Sequence, residues 1–419
     1  MLTIGRRGFL GMTGAAAIAA SMQGRALAAP APVEGLTSLA GKAVPIGAEE
    51  RKARIAKAQQ LMRAQGLSAL LIEPGSSLIY FTGVHWHRSE RLTAAVLPVE
   101  GDVLIVTPFF EEPSVRETLA VPGDFRTWNE HEDPLRLVAD WLKARKLASG
   151  KIGMEETVRY FAVDGLKREL PDAQIVSGAS VVRGCRMHKS AAEIALMQVA
   201  ADITIAAYRY TAPRIERGMT PSDIGAIMNG ATRALGGEPE FSLILLGEAS
   251  AYPHGSGKPQ AVRDGEVVLM DCGCNVQGYQ SDISRSFVFG EATKAQRDAW
   301  QIMRKGQDIA FEAAKPGVAA GSVDDAVRAY YTRLGYGPEY KLPGLSHRTG
   351  HGIGLDGHEP VNLVHGETTR LAPGMCFSNE PGIYIPGDFG IRLEDCFHMT
   401  AQGPRWFSNP PPSIDHPFD

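Results

Sequence analysis

The sequence predicts two domains in series, an α/β domain over 48–187 and a mixed α+β domain over 188–412. Three observations carry this reading. The chain has 419 residues, too many for one ordinary core. Up to about residue 185, short apolar runs bounded by Gly, Pro, Ser or Asp alternate with helix-like stretches. Beyond that point, helices opened by capping signals are interleaved with strands, and the residues able to bind metal are found there.

Taken in order, the N-terminus reads as an export signal. Arg6-Arg7-Gly8-Phe9-Leu10 is a twin-arginine pair, followed by a weakly apolar run rich in Ala and Gly that reaches Met22. Ala26-Leu27-Ala28 then has the small-residue spacing of a cleavage site, so residues 1–28 are read as a twin-arginine signal peptide. A periplasmic or secreted location follows. The apolar run is too short and too glycine-rich for a bilayer span, and no later stretch approaches the ~20 apolar residues that one needs. The mature chain is therefore expected to carry no membrane span.

Residues 29–47 hold Pro, Gly and Ala without periodicity and are read as a linker. A helix is predicted over 49–65, stopped by Gly66. Strands are predicted at 69–72, 78–81, 94–97 and 103–106, each a bounded apolar run. Helices near 134–146 and 157–170 alternate with strands at 151–155 and 174–177.

The second domain begins at Ser190. Ser190 and Glu193 are spaced as a capping box, in which the hydroxyl bonds the third helical N–H and the carboxylate returns to the cap N–H. Thr293 and Gln296 repeat the device, and Ser222 and Ser322 are read as starting two further helices closed by glycines. Between them, strands are expected at 267–271, 282–289, 377–385 and 391–399.

Composition excludes some functions. A formal charge of −4 offers no basic face for phosphate, so no nucleic-acid partner is expected. Five cysteines are an odd number in a long chain, and Cys272-Gly273-Cys274 has the wrong spacing for a structural zinc knuckle. The cysteines are read as small buried apolar side chains.

Five residues are hard or borderline metal ligands at strand ends or tight turns. Asp271 closes the apolar run 267–270, and Asp282 opens the strand after it. His351 lies in a segment with Gly350, Gly352 and Gly354, where backbone and ring can crowd a small volume. Glu380 precedes Pro381, and Glu394 follows the alternating Ile391-Arg392-Leu393. Each alone has an ordinary structural explanation as a turn, cap or edge residue. Together, four carboxylates and one imidazole suit two divalent ions, and an oxygen-rich set favours Mn²⁺, with Co²⁺, Fe²⁺ or Zn²⁺ as alternatives.

These motifs, Asp271-Cys272-Gly273, Ser281-Asp282-Ile283-Ser284-Arg285, His347-Arg348-Thr349-Gly350-His351-Gly352, Asn379-Glu380-Pro381-Gly382 and Ile391-Arg392-Leu393-Glu394-Asp395, resemble in order and spacing those of the pita-bread metallopeptidases. The branch they resemble holds aminopeptidase P, prolidase and creatinase. The likeness is strong over about 190–410, and the first domain matches that family's creatinase-type domain only in size and character. The resemblance implies a pita-bread catalytic domain with Asp271, Asp282, His351, Glu380 and Glu394 as ligands of two metals. It also implies catalytic roles for His254, His347, His358 and Glu380, with Arg392 and Tyr384 supporting them, and a homodimer.

The activity implied is hydrolysis of the bond before proline in a peptide, by a hydroxide shared between the metals. Glu380 would carry the proton, and His254 or His358 would donate to the oxyanion. The complete ligand set argues against creatinase chemistry and against silent binding proteins of the fold. A metal-dependent hydrolase or lyase of a small zwitterion, such as an ectoine derivative or dimethylsulfoniopropionate, stands as the alternative. One departure bears on the substrate. Prolidases often carry an arginine four residues after the histidine matching His358, and here that position is Asn362. Without that carboxylate clamp, with Arg370 in an exposed loop as the other candidate, an aminopeptidase is favoured over a strict dipeptidase.

Overall fold

The computed structural model describes Val33 and residues 35–418. The signal peptide and its cleavage site near Ala28 lie outside the described residues.

The first domain is built on a six-stranded mixed sheet in the spatial order Gly123–Trp128, Val103–Pro108, Ala94–Pro98, Leu67–Ile72, Lys151–Met154, Gln174–Ser177. Its central strands are buried along their length, as strands covered on both faces must be. Helix Ala48–Gln65 lies against it and stops where Gly66 takes the left-handed conformation, φ 70°. One expectation fails here. The run 78–81 is not a strand but part of helix Ser76–Thr82, bracketed by Gly75 and Gly83, both at positive φ. Four apolar residues fit either structure, and the two glycines decide it.

The second domain repeats one plan: a helix pair, then an antiparallel sheet. Helices Ala191–Thr211 and Pro221–Leu235 precede the sheet of Glu238–Leu246, Val267–Val276 and Ile283–Val288, with Tyr279–Gln280 paired beside it. Helices Lys294–Ala313 and Gly321–Arg333 precede a sheet in the order Glu359–Leu363, Gly350–Gly352, Cys376–Asn379, Asp395–Thr400, Gly403–Trp406. Both capping boxes form as expected, at Ser190 and Thr293. A third stands at Thr220 and Asp223, two residues before the predicted start at Ser222.

The continuous strands expected over 377–385 and 391–399 are each broken in two. Cys376–Asn379 and Gly382–Tyr384 are separated at Glu380-Pro381, and Gly390–Arg392 and Asp395–Thr400 at Leu393-Glu394. Pro381 has no N–H to offer a ladder, and both breaks turn a carboxylate out of the sheet. The two sheets meet there. Ser284 and Glu394 exchange backbone hydrogen bonds, 3.2 and 3.0 Å, which tie the first half to the second.

The segment Ala191–Arg214 is long and apolar enough to cross a bilayer, unlike the expectation that no such stretch exists. Its apolar length has another use, since it packs along helix Pro221–Leu235 and strand Val267–Val276 with Tyr208 fully buried. The five cysteines are free and buried, as expected.

Two ion networks lock the domains together. Arg54 donates to Glu50 at 2.7 Å and to the Tyr279 hydroxyl at 3.1 Å, and Tyr279 donates to Glu193 at 2.9 Å. Arg186 forks to Asp356 and Glu359 at 2.7 and 2.6 Å, and Lys189 reaches Glu359 at 2.8 Å. Glu359 in turn accepts from the backbone N–H of Leu355 at 3.0 Å, fixing the turn that carries His358.

Candidate metal centre

The five predicted ligands converge where the two sheets meet. His351 Nε2 stands 3.2 Å from Glu380 Oε1, 3.6 Å from Asp282 Oδ2 and 4.0 Å from Glu394 Oε1. Their ligand atoms form overlapping groups, Asp271–Asp282–Glu394 and His351–Glu380–Glu394, each within 4.8 Å. A third group, Asp282–His351–His358, brings His358 within ligand reach as well.

The ring of His351 is aimed by its neighbours. Nδ1 donates to the carbonyl of Gly352 at 3.0 Å, which leaves Nε2 facing the carboxylates. Its backbone N–H donates to Ser378 Oγ at 3.0 Å. Glycine is required at 352, because a Cβ there would stand 2.6 Å from the Glu359 carbonyl oxygen.

The chemistry of the donor set fits a divalent metal pair. Asp282 and Glu394 are 5% and 2% exposed, and burial together with the neighbouring carboxylates pushes both well above the usual carboxylate range. Burial also raises Asp271, against the pull of Arg392. Glu380 goes the other way: although burial opposes it, the hydrogen bond and charge of His351 bring it down to about 2. Asp271 Oδ1 and Glu394 Oε1 are buried with no hydrogen-bond partner. Such a cluster of buried anions with orphaned oxygens is costly without cations.

Around this centre, Arg392 is spent inward. It donates to Asp271 Oδ2 at 2.6 Å, to Ser284 Oγ at 3.0 Å, to Tyr384 Oη at 3.2 Å and to the carbonyl of Pro253 at 3.1 Å. Tyr384 holds His347: Nδ1 of His347 donates to the Arg348 carbonyl at 2.8 Å, so Nε2 accepts the Tyr384 hydroxyl, also at 2.8 Å. Burial lowers the His347 pKa, which favours the neutral ring.

His358 is exposed and its ring lies against His351, with centroids 4.0 Å apart and the planes tilted by 53°. Burial of part of its ring, then the nearby His351 and Arg348, push it down to about 4. Arg348 Nη2 donates to His358 Nδ1 at 3.2 Å, which places the proton of the neutral ring on Nε2. His254 is exposed at the mouth of the same cleft. The cleft has a volume of about 930 Å³ and is lined by all five predicted ligands with His254, His347, His358 and Arg392.

Sequence reasoning missed Arg348, which lines this cleft although it lies within the quoted motif. The two positions weighed for a carboxylate clamp do not line it. Asn362 sits on strand Glu359–Leu363, paired with His351 in register, and Arg370 donates to the Gly317 carbonyl.

A buried carboxylate cluster with an aimed imidazole, set at the junction of two like halves beneath an α/β domain, defines a metal-dependent hydrolase. Residues 195–401 match metallopeptidase family M24, and residues 54–188 match the creatinase/prolidase N-terminal domain. The chain is 33% identical to the probable dipeptidase PepE of Mycobacterium tuberculosis over 368 residues, covering 87% of this chain and 96% of that one. It is 31% identical to the Xaa-Pro dipeptidase of Lactobacillus helveticus, covering 84% and 96%. The crystal structure of dipeptidase PepE from Mycobacterium ulcerans superposes with a TM-score of 0.80 at 31% identity, covering 88% and 98%. The chain belongs to metallopeptidase family M24 and is a metal-dependent peptidase with a creatinase-type first domain and a pita-bread catalytic domain.

Proposed function

We propose that the chain is an Xaa-Pro peptidase that works with two divalent cations, Mn²⁺ by the oxygen-rich donor set. Asp271, Asp282, His351, Glu380 and Glu394 would hold them. The observation that carries the reading is the buried carboxylate cluster with His351 Nε2 turned into it. Relatives named Xaa-Pro dipeptidase support the choice of substrate. Bound cations would supply Lewis-acid charge and an activated water.

The chain's own residues do the rest. Glu380, at 13% side-chain exposure on the cleft wall, is placed to take a proton and return it to the leaving nitrogen. That return matters for proline, whose amide nitrogen carries no hydrogen of its own. His358, with its Nε2–H free of Arg348, and His254 at the mouth are the donors for a developing oxyanion. Tyr384 fixes His347 in one tautomer beside Glu380, 4.0 Å away.

A longer peptide is the second reading. A groove of about 740 Å³ shares Leu243 and His254 with the cleft and continues past Pro221 and Asn229. It offers room for residues beyond a dipeptide, as the absence of an arginine at 362 also suggests. A homodimer and export to the periplasm belong to the same proposal, the latter resting on Arg6-Arg7 and Ala26-Leu27-Ala28.

The test is hydrolysis of Ala-Pro, Ala-Pro-Ala and Ala-Ala by the chain from Ala29 onward, with Mn²⁺ and with chelator, beside a Glu380→Ala control. Metal-dependent cleavage confined to the proline peptides is expected, and the preferred length assigns dipeptidase or aminopeptidase. Two bound metals with no proline peptide cut would sink the reading and bring the small-zwitterion alternative forward.

A further inference from the structure

The cleft contains one guanidinium that the centre does not consume. Arg392 is committed to Asp271, Ser284, Tyr384 and Pro253. Arg186 is committed to Asp356 and Glu359 at the domain junction. Arg348, among the described residues, has no carboxylate partner, and its one side-chain hydrogen bond is the donation to His358 Nδ1 at 3.2 Å. Since the His358 ring lies against His351, centroids 4.0 Å apart and tilted by 53°, the Arg348 guanidinium stands one imidazole ring away from the candidate ligand cluster.

The backbone beneath Arg348 is held rigidly. Arg328 donates to the carbonyls of Leu345 at 3.0 Å and His347 at 2.6 Å. Asp324, fully buried, accepts from the Thr349 N–H at 3.1 Å and its hydroxyl at 2.7 Å. The loop is thus pinned on both sides of Arg348, while the side chain keeps most of its five donors for a ligand. A cation with unused donors, in a cleft otherwise rich in carboxylates, is placed for an anionic group that arrives with the substrate.

We propose that Arg348 binds the free α-carboxylate of the residue on the leaving side of the scissile bond, selecting dipeptides in place of an arginine at 362. The inference rests on the peptidase reading above. The same contact keeps His358 in its Nε2–H form, so carboxylate binding and the oxyanion donor share one anchor. A substrate with an amide at that end gives the guanidinium a neutral acceptor, and a longer peptide puts the carboxylate elsewhere.

Two measurements on the Mn²⁺-loaded chain decide it. The first is the ratio of kcat/KM for Ala-Pro to that for Ala-Pro amide, in wild type, Arg348→Ala and Arg348→Lys. Wild type should favour the acid, Arg348→Ala should shrink the ratio about tenfold or more, chiefly through KM, and Arg348→Lys should retain part of it. An unmoved ratio in Arg348→Ala overturns the assignment. The second is calorimetric binding of L-proline and L-prolinamide, with the metal content and melting temperature of each variant as the folding control. Loss of affinity for proline beyond that for prolinamide supports the role, and equal weakening of both overturns it. If wild type cuts neither substrate, the peptidase reading falls, while the binding comparison still decides what Arg348 holds.

Discussion

Arg392 donates to Asp271 at 2.6 Å, and the same guanidinium donates to the carbonyl of Pro253, the residue before His254. A half-buried candidate ligand and a histidine at the cleft mouth are therefore set by one side chain. Lysine would keep the charge but lose the fork that reaches both. Arg392→Lys should lower kcat and metal affinity by about 10- to 100-fold, as losses of groups supporting metal ligands commonly do. Steady-state kinetics and metal titration check this, and a wild-type lysine variant would show the fork to be idle.

The raised carboxyls make a crossing prediction. Without metal, Asp282 and Glu394 are held buried against other anions. Asp282→Asn should therefore melt at or above wild type when both are metal-free. Loaded with Mn²⁺, the order should reverse, because wild type gains binding free energy of about 2.7 kcal/mol at a hundredfold excess over Kd. Thermal melts with and without chelator read both halves, and a variant that still binds two metals would remove Asp282 from the set.

Tyr384→Phe deletes one hydroxyl from a buried, well-packed ring. His347 Nε2 then loses its donor, and the expected result is roughly a tenfold fall in kcat with metal content retained. Equal turnover in the variant would leave His347 without a need for fixing.

Glu359 should control acid stability. Burial pushes its pKa up, but Lys189 and Arg186 bring it down to about 2. An unfolded glutamate titrates near ~4.3, so the folded form is the weaker base. Its stabilising contribution is complete above that unfolded value and is lost as pH falls towards 2. Glu359→Gln should be less stable than wild type at pH 7, and the gap should close between about pH 5 and pH 2. Melting temperatures across that range are the measurement, and a constant gap would contradict the network.

The cluster of candidate ligands was legible because its chemistry leaves few choices: carboxylates at strand ends and an imidazole among glycines. Capping boxes at Ser190 and Thr293 were equally readable, since each is a local exchange of hydrogen bonds. Residues 78–81 were not, because a four-residue apolar run has no period that separates strand from helix. The breaks at Glu380 and Leu393 were hidden in the same way, as both flanks read as strand. Arg348 stood in plain view within its motif. What directs it into the cleft is Asp324 and Arg328 on a distant helix, and spacing along the chain carries no such information.

The centre draws Asp271 and Asp282 from the first sheet and His351, Glu380 and Glu394 from the second, with Ser284 and Glu394 joined across the seam. Neither half alone supplies all five candidate ligands. Metal retention by these side chains would therefore report on register: all five stand together only when the two halves have docked along the Ser284–Glu394 seam.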